Sequence, residues 1–257
     1  MIVKPFTTRR SVLAGAGALA AIALLPGCGL ASERLPDYRY RLTVEVDTPE
    51  GLRTGSSVIA VRSILLPKTL PDAPVLRIEV RGEAVTVDLG PRGVLFALLR
   101  GTTRTDWAGG AMELVTPHPP VVPGANQFAL WHQAMIANRG LHVVPRHAPL
   151  PPNPRRDSIP RPNDPPNAYP MLVRFGDIAD PASVALVDPD DLAASFGKGV
   201  KLRRITVELT DDAVTTGIEK RFVWWDSYEN LQFDGHRLND STTLSSNLNH
   251  LDISRGY

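Results

Sequence analysis

Six histidines, one cysteine and a crowd of aspartates are the side chains in this sequence whose chemistry could support catalysis or metal binding. His142 and His147 stand five apart around Val143-Val144-Pro145-Arg146, a spacing that can join a zinc site. No third ligand follows at a diagnostic distance, and catalytic zinc takes three protein ligands. His250 and Asp252, two apart, could in principle form a base and its orienting carboxylate, but a solvated histidine in a polar tail is the simpler reading. Asp177, Asp180, Asp188, Asp190 and Asp191 could attract calcium, yet they lack the loop order and closing glutamate of an EF-hand. Ser56 and Ser57 lie in Gly55-Ser56-Ser57-Val58, which is not the Gly-x-Ser-x-Gly elbow of a nucleophilic serine. No glycine-rich phosphate loop or dinucleotide fingerprint is present. Trp224, Trp225 and Tyr228 could offer an aromatic platform to a glycan, a peptide or a protein, although aromatics more often fill a core. The sequence therefore assigns no catalytic residue, no metal and no cofactor.

The remaining reactive side chain, Cys28, closes a different kind of segment. Lys4, Arg9 and Arg10 precede Ser11 to Leu25, an uncharged stretch rich in alanine and leucine. Its length of about 15 residues falls short of the roughly 18 to 20 needed to span a bilayer, and the order of charge, apolar run and small-residue end is that of a secretory signal. Thr8-Arg9-Arg10-Ser11-Val12-Leu13 resembles the twin-arginine export signal, with Val12 in place of the usual phenylalanine. Leu25-Pro26-Gly27-Cys28 resembles the lipobox of bacterial lipoproteins, with Pro26 departing from the common alanine or serine. That resemblance implies cleavage before Cys28, a diacylated (palmitate-type) cysteine and attachment to the inner or outer membrane on the periplasmic side of the cell envelope. Two or more acyl chains make a durable anchor, each buried methylene contributing about 0.8 kcal/mol. As the lone cysteine, Cys28 can form no internal disulfide.

The division expected is a signal peptide over 1–27, a lipidated cysteine and tether over 28–37, and a globular body over 38–257. Residues 1–27 hold three cations and no acid, so the chain from Cys28 onward carries 25 basic against 27 acidic residues, a formal charge of −2. Nucleic acid is a poor partner for such a surface. The membrane, the export machinery and an envelope protein or glycan are the partners the sequence points to.

The body must be built mainly from strands. Tyr38 to Asp47 alternates, with Tyr38, Tyr40, Leu42, Val44 and Val46 on one face. Pro49-Glu50-Gly51 turns the chain into a second strand ending near Ile64. Val75 to Val80 and Ala84 to Leu89 read as another hairpin around Arg81-Gly82-Glu83. Val94 to Leu99 is continuously apolar and fits either a buried strand or a short helix. Gly101 to Gly110 reads as a loop carrying an exposed or capping Trp107. Asn126 to Asn138 is the best helix, with Phe128, Trp131, Met135 and Ile136 on one face and His132 off it.

Residues 145–168 form a long proline-rich excursion that could join two lobes, 38–144 and 169–257. Beyond it come strands at Met171 to Phe175 and Ser183 to Val187. A short helix to Phe196 follows, capped by Asp188 with Pro189 in its first turn. Val200 to Leu209 is a strong strand, and the tail after Leu231 is polar and weakly patterned. The class expected is mainly β or α+β, an antiparallel sheet or sandwich with a few short helices. YRYRLTVEVDTPEGLRTGSSVIAV and LRRITVELTDDAVTTGIEKRF also resemble segments of uncharacterised proteobacterial proteins, a likeness that implies a bacterial source and no activity. Two function classes follow: an exported, lipid-anchored envelope protein that binds or scaffolds, or an envelope enzyme, such as a hydrolase, whose site is assembled from dispersed residues.

Overall fold

A computed structural model describes residues 32–67, 76–102, 106–147, 167–238 and 242–256. Arg9, Arg10, Leu25, Gly27 and Cys28 lie outside the described residues, as do 148–166 of the proline-rich excursion. The fold is mainly antiparallel β with short helices. In chain order the elements are β1 (Glu33–Arg34), β2 (Tyr38–Thr48), β3 (Gly51–Leu65), β4 (Leu76–Glu83), β5 (Val85–Asp88) and β6 (Val94–Gly101). They continue with α1 (Gln127–Ala137), β7 (Leu141–Val143), β8 (Pro170–Phe175), β9 (Val184–Leu186), α2 (Leu192–Phe196) and β10 (Lys201–Leu209). The chain closes with α3 (Leu244–Asn247), α4 (His250–Ile253) and β11 (Ser254–Arg255).

Two sheets result. The larger has the order β11-β4-β3-β2-β10-β7, with β1 also pairing β3; the smaller has the order β5-β6-β8-β9. β2 and β3 form the long hairpin expected, in register from Tyr38 opposite Val61 to Thr48 opposite Gly51. The alternation of β2 is expressed directly: its tyrosines, leucine and valines are buried and the residues between them are not. β10 pairs β2, and β8 pairs β6, so chain from either side of residues 148–166 is woven into both sheets.

The apolar run of β6 is a strand, and its lack of alternation has a physical cause. Leu95, Ala97 and Leu99 enter one core, with Tyr40, Leu42 and Val44 of β2 and Ile205 of β10. Phe96 and Leu98 enter a second core, with Val173, Phe222, Trp224, Phe233, Leu248 and Ile253. The smaller sheet is thus covered on both faces, by the large sheet on one and by the carboxy-terminal segment on the other, and a strand buried on both faces has no polar side to alternate.

The second expected hairpin does not form. β4 pairs β3, whereas β5 pairs β6 in the other sheet. The Arg81-Gly82-Glu83 stretch that reads as a turn is instead the end of β4. Gly82 has φ 147°, and a Cβ there would lie 3.1 Å from the Cα of Ile59, so glycine lets β4 hug β3 before the chain changes sheets. Ala84 then donates its N–H to the carbonyl of Ile253, tying the crossing point to the carboxy-terminal segment. That tail, weakly patterned in sequence, is a structural closure: Phe233, Leu248 and Ile253 are fully buried.

Trp107 is not exposed. It is 1% accessible, precedes a 3-10 turn over Ala108–Leu114, and donates from Nε1 to the carbonyl of Ala168 at 2.7 Å. α1 forms as expected, with the Asn126 side chain accepting from the N–H groups of Phe128 and Ala129. His132 is a correction: it is 2% exposed and donates from Nε2 to the carbonyl of Pro36, because the segment before β2 covers that side of the helix, while Phe128 stays largely exposed. The helix near Phe196 begins later than expected. Asp191, not Asp188, is its cap, accepting from Ala194 N–H; Asp188 closes the preceding turn by accepting from Asp190 N–H.

Glu83 is buried at the end of β4, where it accepts the Ile218 N–H at 2.8 Å. Loss of hydration raises its carboxyl above the ordinary glutamate range, and the Ile218 bond offsets part of that rise. The folded state then holds this proton more tightly than the unfolded state. Stability from this group is greatest below the ordinary glutamate pKa and is lost as pH rises through the raised folded value. Glu83→Gln keeps an acceptor for Ile218 and removes the buried charge. Urea midpoints measured against pH should fall less steeply over that window than in the wild type; identical slopes would mean that Glu83 is solvated.

Candidate binding cleft

A cleft of about 760 Å³ opens where the β4–β11 edge of the large sheet meets the carboxy-terminal segment. Three guanidinium groups reach it from three strands: Arg62 from β3, Arg100 from β6 and Arg255 from β11. Glu79, Asp106 and Asp252 stand among them, so its formal charge is balanced. Arg62 lies 3.3 Å from Glu79 and 3.7 Å from Asp37. Arg100 donates to the carbonyl of Asn247 at 2.9 Å and lies 3.6 Å from Asp252. Arg255 donates to the carbonyl of Leu251 at 2.9 Å and makes a longer 3.4 Å contact with the exposed Asp106.

Local sequence explains the far wall. Thr243 and Ser246 form a capping box that starts α3, and Asn249 and Asp252 form a second one that starts α4. Asp252 therefore faces Asn249 N–H at 3.0 Å and Arg100, not His250. Burial raises the Asp252 carboxyl above its usual range, opposed first by that N–H and then by Arg100 and Arg255. In the lining, Arg100 Nε, a donor, and Gln232 Oε1, an acceptor, are buried without a hydrogen-bond partner among the described residues. Each such atom costs about 1–3 kcal/mol when left dry and unpaired.

The residues singled out from sequence lie elsewhere. Trp225 opens a 3-10 turn over Trp225–Tyr228 and Trp224 immediately precedes it, so the neighbouring rings need not point to opposite sides; their planes lie 29° apart with centroids 6.0 Å apart. Trp224 is buried against Phe175, Phe222 and Phe233 and donates to the carbonyl of Ile178, while Trp225 and Tyr228 are half-buried. His250 is not loosely solvated; it packs edge-on to Trp225.

The other histidines are dispersed. His118 stacks on Trp131, His142 lies 3.2 Å from the carbonyl of Asn138, His147 bridges to Asn167, and His236 pairs with Asp234. Ser57 is buried within β3, and Asp177, Asp180 and Asp188 close turns with neighbouring N–H groups. Among the described residues no three His, Cys, Asp or Glu side chains are grouped to hold a metal ion, and no helix is long and apolar enough to cross a membrane. Sequence reasoning missed Arg62, Arg100, Arg255 and Gln232. The available signal was an arginine set inside or at the end of an apolar strand, in Val58-Ile59-Ala60-Val61-Arg62 and in Val94 to Arg100. No protein-family model, curated protein or solved structure matches the chain.

Proposed function

We propose that this chain is an exported cell-envelope protein, anchored by lipid on Cys28, whose folded body acts by binding or scaffolding rather than by catalysis. The observation that carries the binding role is the cleft, with its balanced arginines and acids. Such a lining orients a polar ligand through several directional bonds and offers no nucleophile beside a base. The leader motifs carry the anchor: Arg9 and Arg10 address the export machinery, and Leu25, Gly27 and Cys28 match the lipobox residue by residue.

Intact mass spectrometry of protein from a membrane fraction tests the anchor. The expected species begins at Cys28 and carries acyl mass, and Cys28→Ala loses that mass and leaves the membrane fraction. An unlipidated N-terminus further along the chain would replace the anchor with a diffusible protein. A photo-crosslinking residue at Leu251, which lines the cleft and is half exposed, tests the binding role. It should capture an envelope component that the same residue at the exposed Val121, outside that lining, does not. Equal capture from both positions would count against the cleft.

A further inference from the structure

The fold takes hold of the chain soon after Cys28. Residues 33–37 fall in the stretch expected as a tether, yet they are fixed to the body. β1 pairs the end of β3, with Glu33 opposite Leu65 and Arg34 opposite Ile64. Leu35 is buried and donates its N–H to the carbonyl of Ser63, and the Pro36 carbonyl accepts from His132. From Cys28 to Glu33 the chain can extend at most about 18 Å, at roughly 3.6 Å per residue. A lipid on Cys28 therefore holds β1 close to the headgroups of its membrane.

Strand register decides what else lies there, because alternate residues of a strand and their cross-strand partners share one face. Ala60, Arg62 and Ile64 of β3 lie on one face, with Arg39 and Arg81 on either side of Ala60, Glu79 opposite Arg62 and Arg34 opposite Ile64. The other face sends Val61, Ser63 and Leu65 into the interior, so a surface beside β1 meets the arginine face. Arg34 and Arg62 have carboxylate partners in Asp37 and Glu79. Around Ala60 the balance tips. Two adjoining hollows of about 320 and 200 Å³ share Asp37, Tyr38, Arg39 and Asp211; Arg81 lines the first and Arg139 the second. Arg39 donates to the backbone carbonyl of Asp211, and Arg81 and Arg139 are exposed and make no ion pair among the described residues. Asp37 is already paired with Arg34, which leaves the Asp211 carboxylate against three guanidinium groups. The chain from Cys28 onward is formally −2, with 25 basic against 27 acidic residues, so this cationic ground is a local feature beside the anchor.

Resting on the reading of Cys28 as the lipid-bearing residue, we propose that this face is the membrane-facing side of the body, and that Arg39, Arg81 and Arg139 bind the phosphate groups of anionic phospholipids. Arg39 and Arg81 stand on strands about 10 Å apart with only the methyl group of Ala60 between them. A phosphodiester entering that hollow accepts charge-assisted hydrogen bonds from both sides. The Ala60 row lies roughly 14 Å along β3 from the Ile64 row, within the reach that the short tether leaves. Guanidinium groups within a Debye length of an anionic leaflet, about 8 Å at physiological salt, are drawn to it. The acyl chains supply attachment, and the arginines fix which side of the body the membrane sees.

The test takes the full chain purified from a membrane fraction, reads its acyl mass first, and reconstitutes it into vesicles of phosphatidylcholine and phosphatidylglycerol in equal parts. A photo-crosslinking residue at Val214, which lines the first hollow, should capture phospholipid as a mass adduct. The same residue at Val223, exposed on the carboxy-terminal segment beyond the second core, should capture about tenfold less. Arg81→Gln combined with Arg139→Gln should cut the Val214 yield about tenfold or more, since each charge lost beside an anionic surface is worth roughly fivefold. Arg53→Gln removes the same charge near the hairpin turn, roughly 40 Å along β3 from Leu65, and should leave the yield unchanged. The acyl mass and the far-ultraviolet spectrum should be the same in all variants, because the substituted arginines are exposed and make no ion pair among the described residues. Acylated protein that captures lipid equally at Val214 and Val223, or equally with and without Arg81 and Arg139, would overturn the membrane-facing side and leave the anchor standing. Protein without acyl mass would overturn the anchor, and this placement with it.

Discussion

Trp107→Ala is expected to remove about 3–5 kcal/mol of stability, enough to leave a marginal domain largely unfolded. The indole fills space in the core shared by both sheets, beside Ala108, Ala111 and Met112 of the turn that follows it. Its Nε1 also satisfies the carbonyl of Ala168, two residues before β8 begins. The substitution opens a cavity and strands a buried acceptor together, and the two costs can be separated. Trp107→Phe keeps most of the ring and should lose about 1–3 kcal/mol, the penalty of the unpaired carbonyl. Urea unfolding followed by far-ultraviolet circular dichroism reads both. A loss below about 1 kcal/mol for the alanine variant would place Trp107 in a solvated loop, as its Gly-Thr-Thr-Arg-Thr-Asp surroundings suggest.

Gly55→Ala should be nearly as damaging for the opposite reason. Gly55 lies in β3 where β5 of the second sheet crosses it, and a Cβ there would stand 2.0 Å from the carbonyl oxygen of Thr86 and 2.8 Å from its carbon. Both are backbone atoms, so no rotamer change relieves the clash and the two sheets must separate locally. Overpacking of this kind costs about 1–3 kcal/mol or more. Gly176→Ala is the control. Its added Cβ would meet Ser183 at 3.6 Å, an ordinary contact, and its φ is not positive, so its stability should stay within about 1 kcal/mol of wild type. Equal unfolding midpoints for the two variants would mean that the sheets do not meet at Gly55.

These two positions show how sequence and structure divide the information. Nothing around Gly55 marks it as a contact point: glycine in a strand reads as a weak spot until the crossing strand is known. Trp107 reads as loop because its neighbours are polar and small, yet an indole buries more area than any of them and decides where the segment goes. The cleft was still less legible. Arg62, Arg100, Arg255 and Gln232 come from four distant parts of the chain, and no spacing rule relates residues brought together by sheet order.

What the sequence by itself determined is local. The two-residue period of 38–47 made strand β2, since only one of its faces could be buried. The Pro49-Glu50-Gly51 turn joined the first hairpin, and Asn126 began α1 by capping its free N–H groups. The tertiary structure alone decided which strands became neighbours. It parted β4 from β5, covered β6 on both faces, folded a polar tail into a second core and left the outer edge of β4 beside the cleft. The reason is range: periodicity and capping act within a few residues, whereas the partner of a strand is chosen by burial summed over the whole chain.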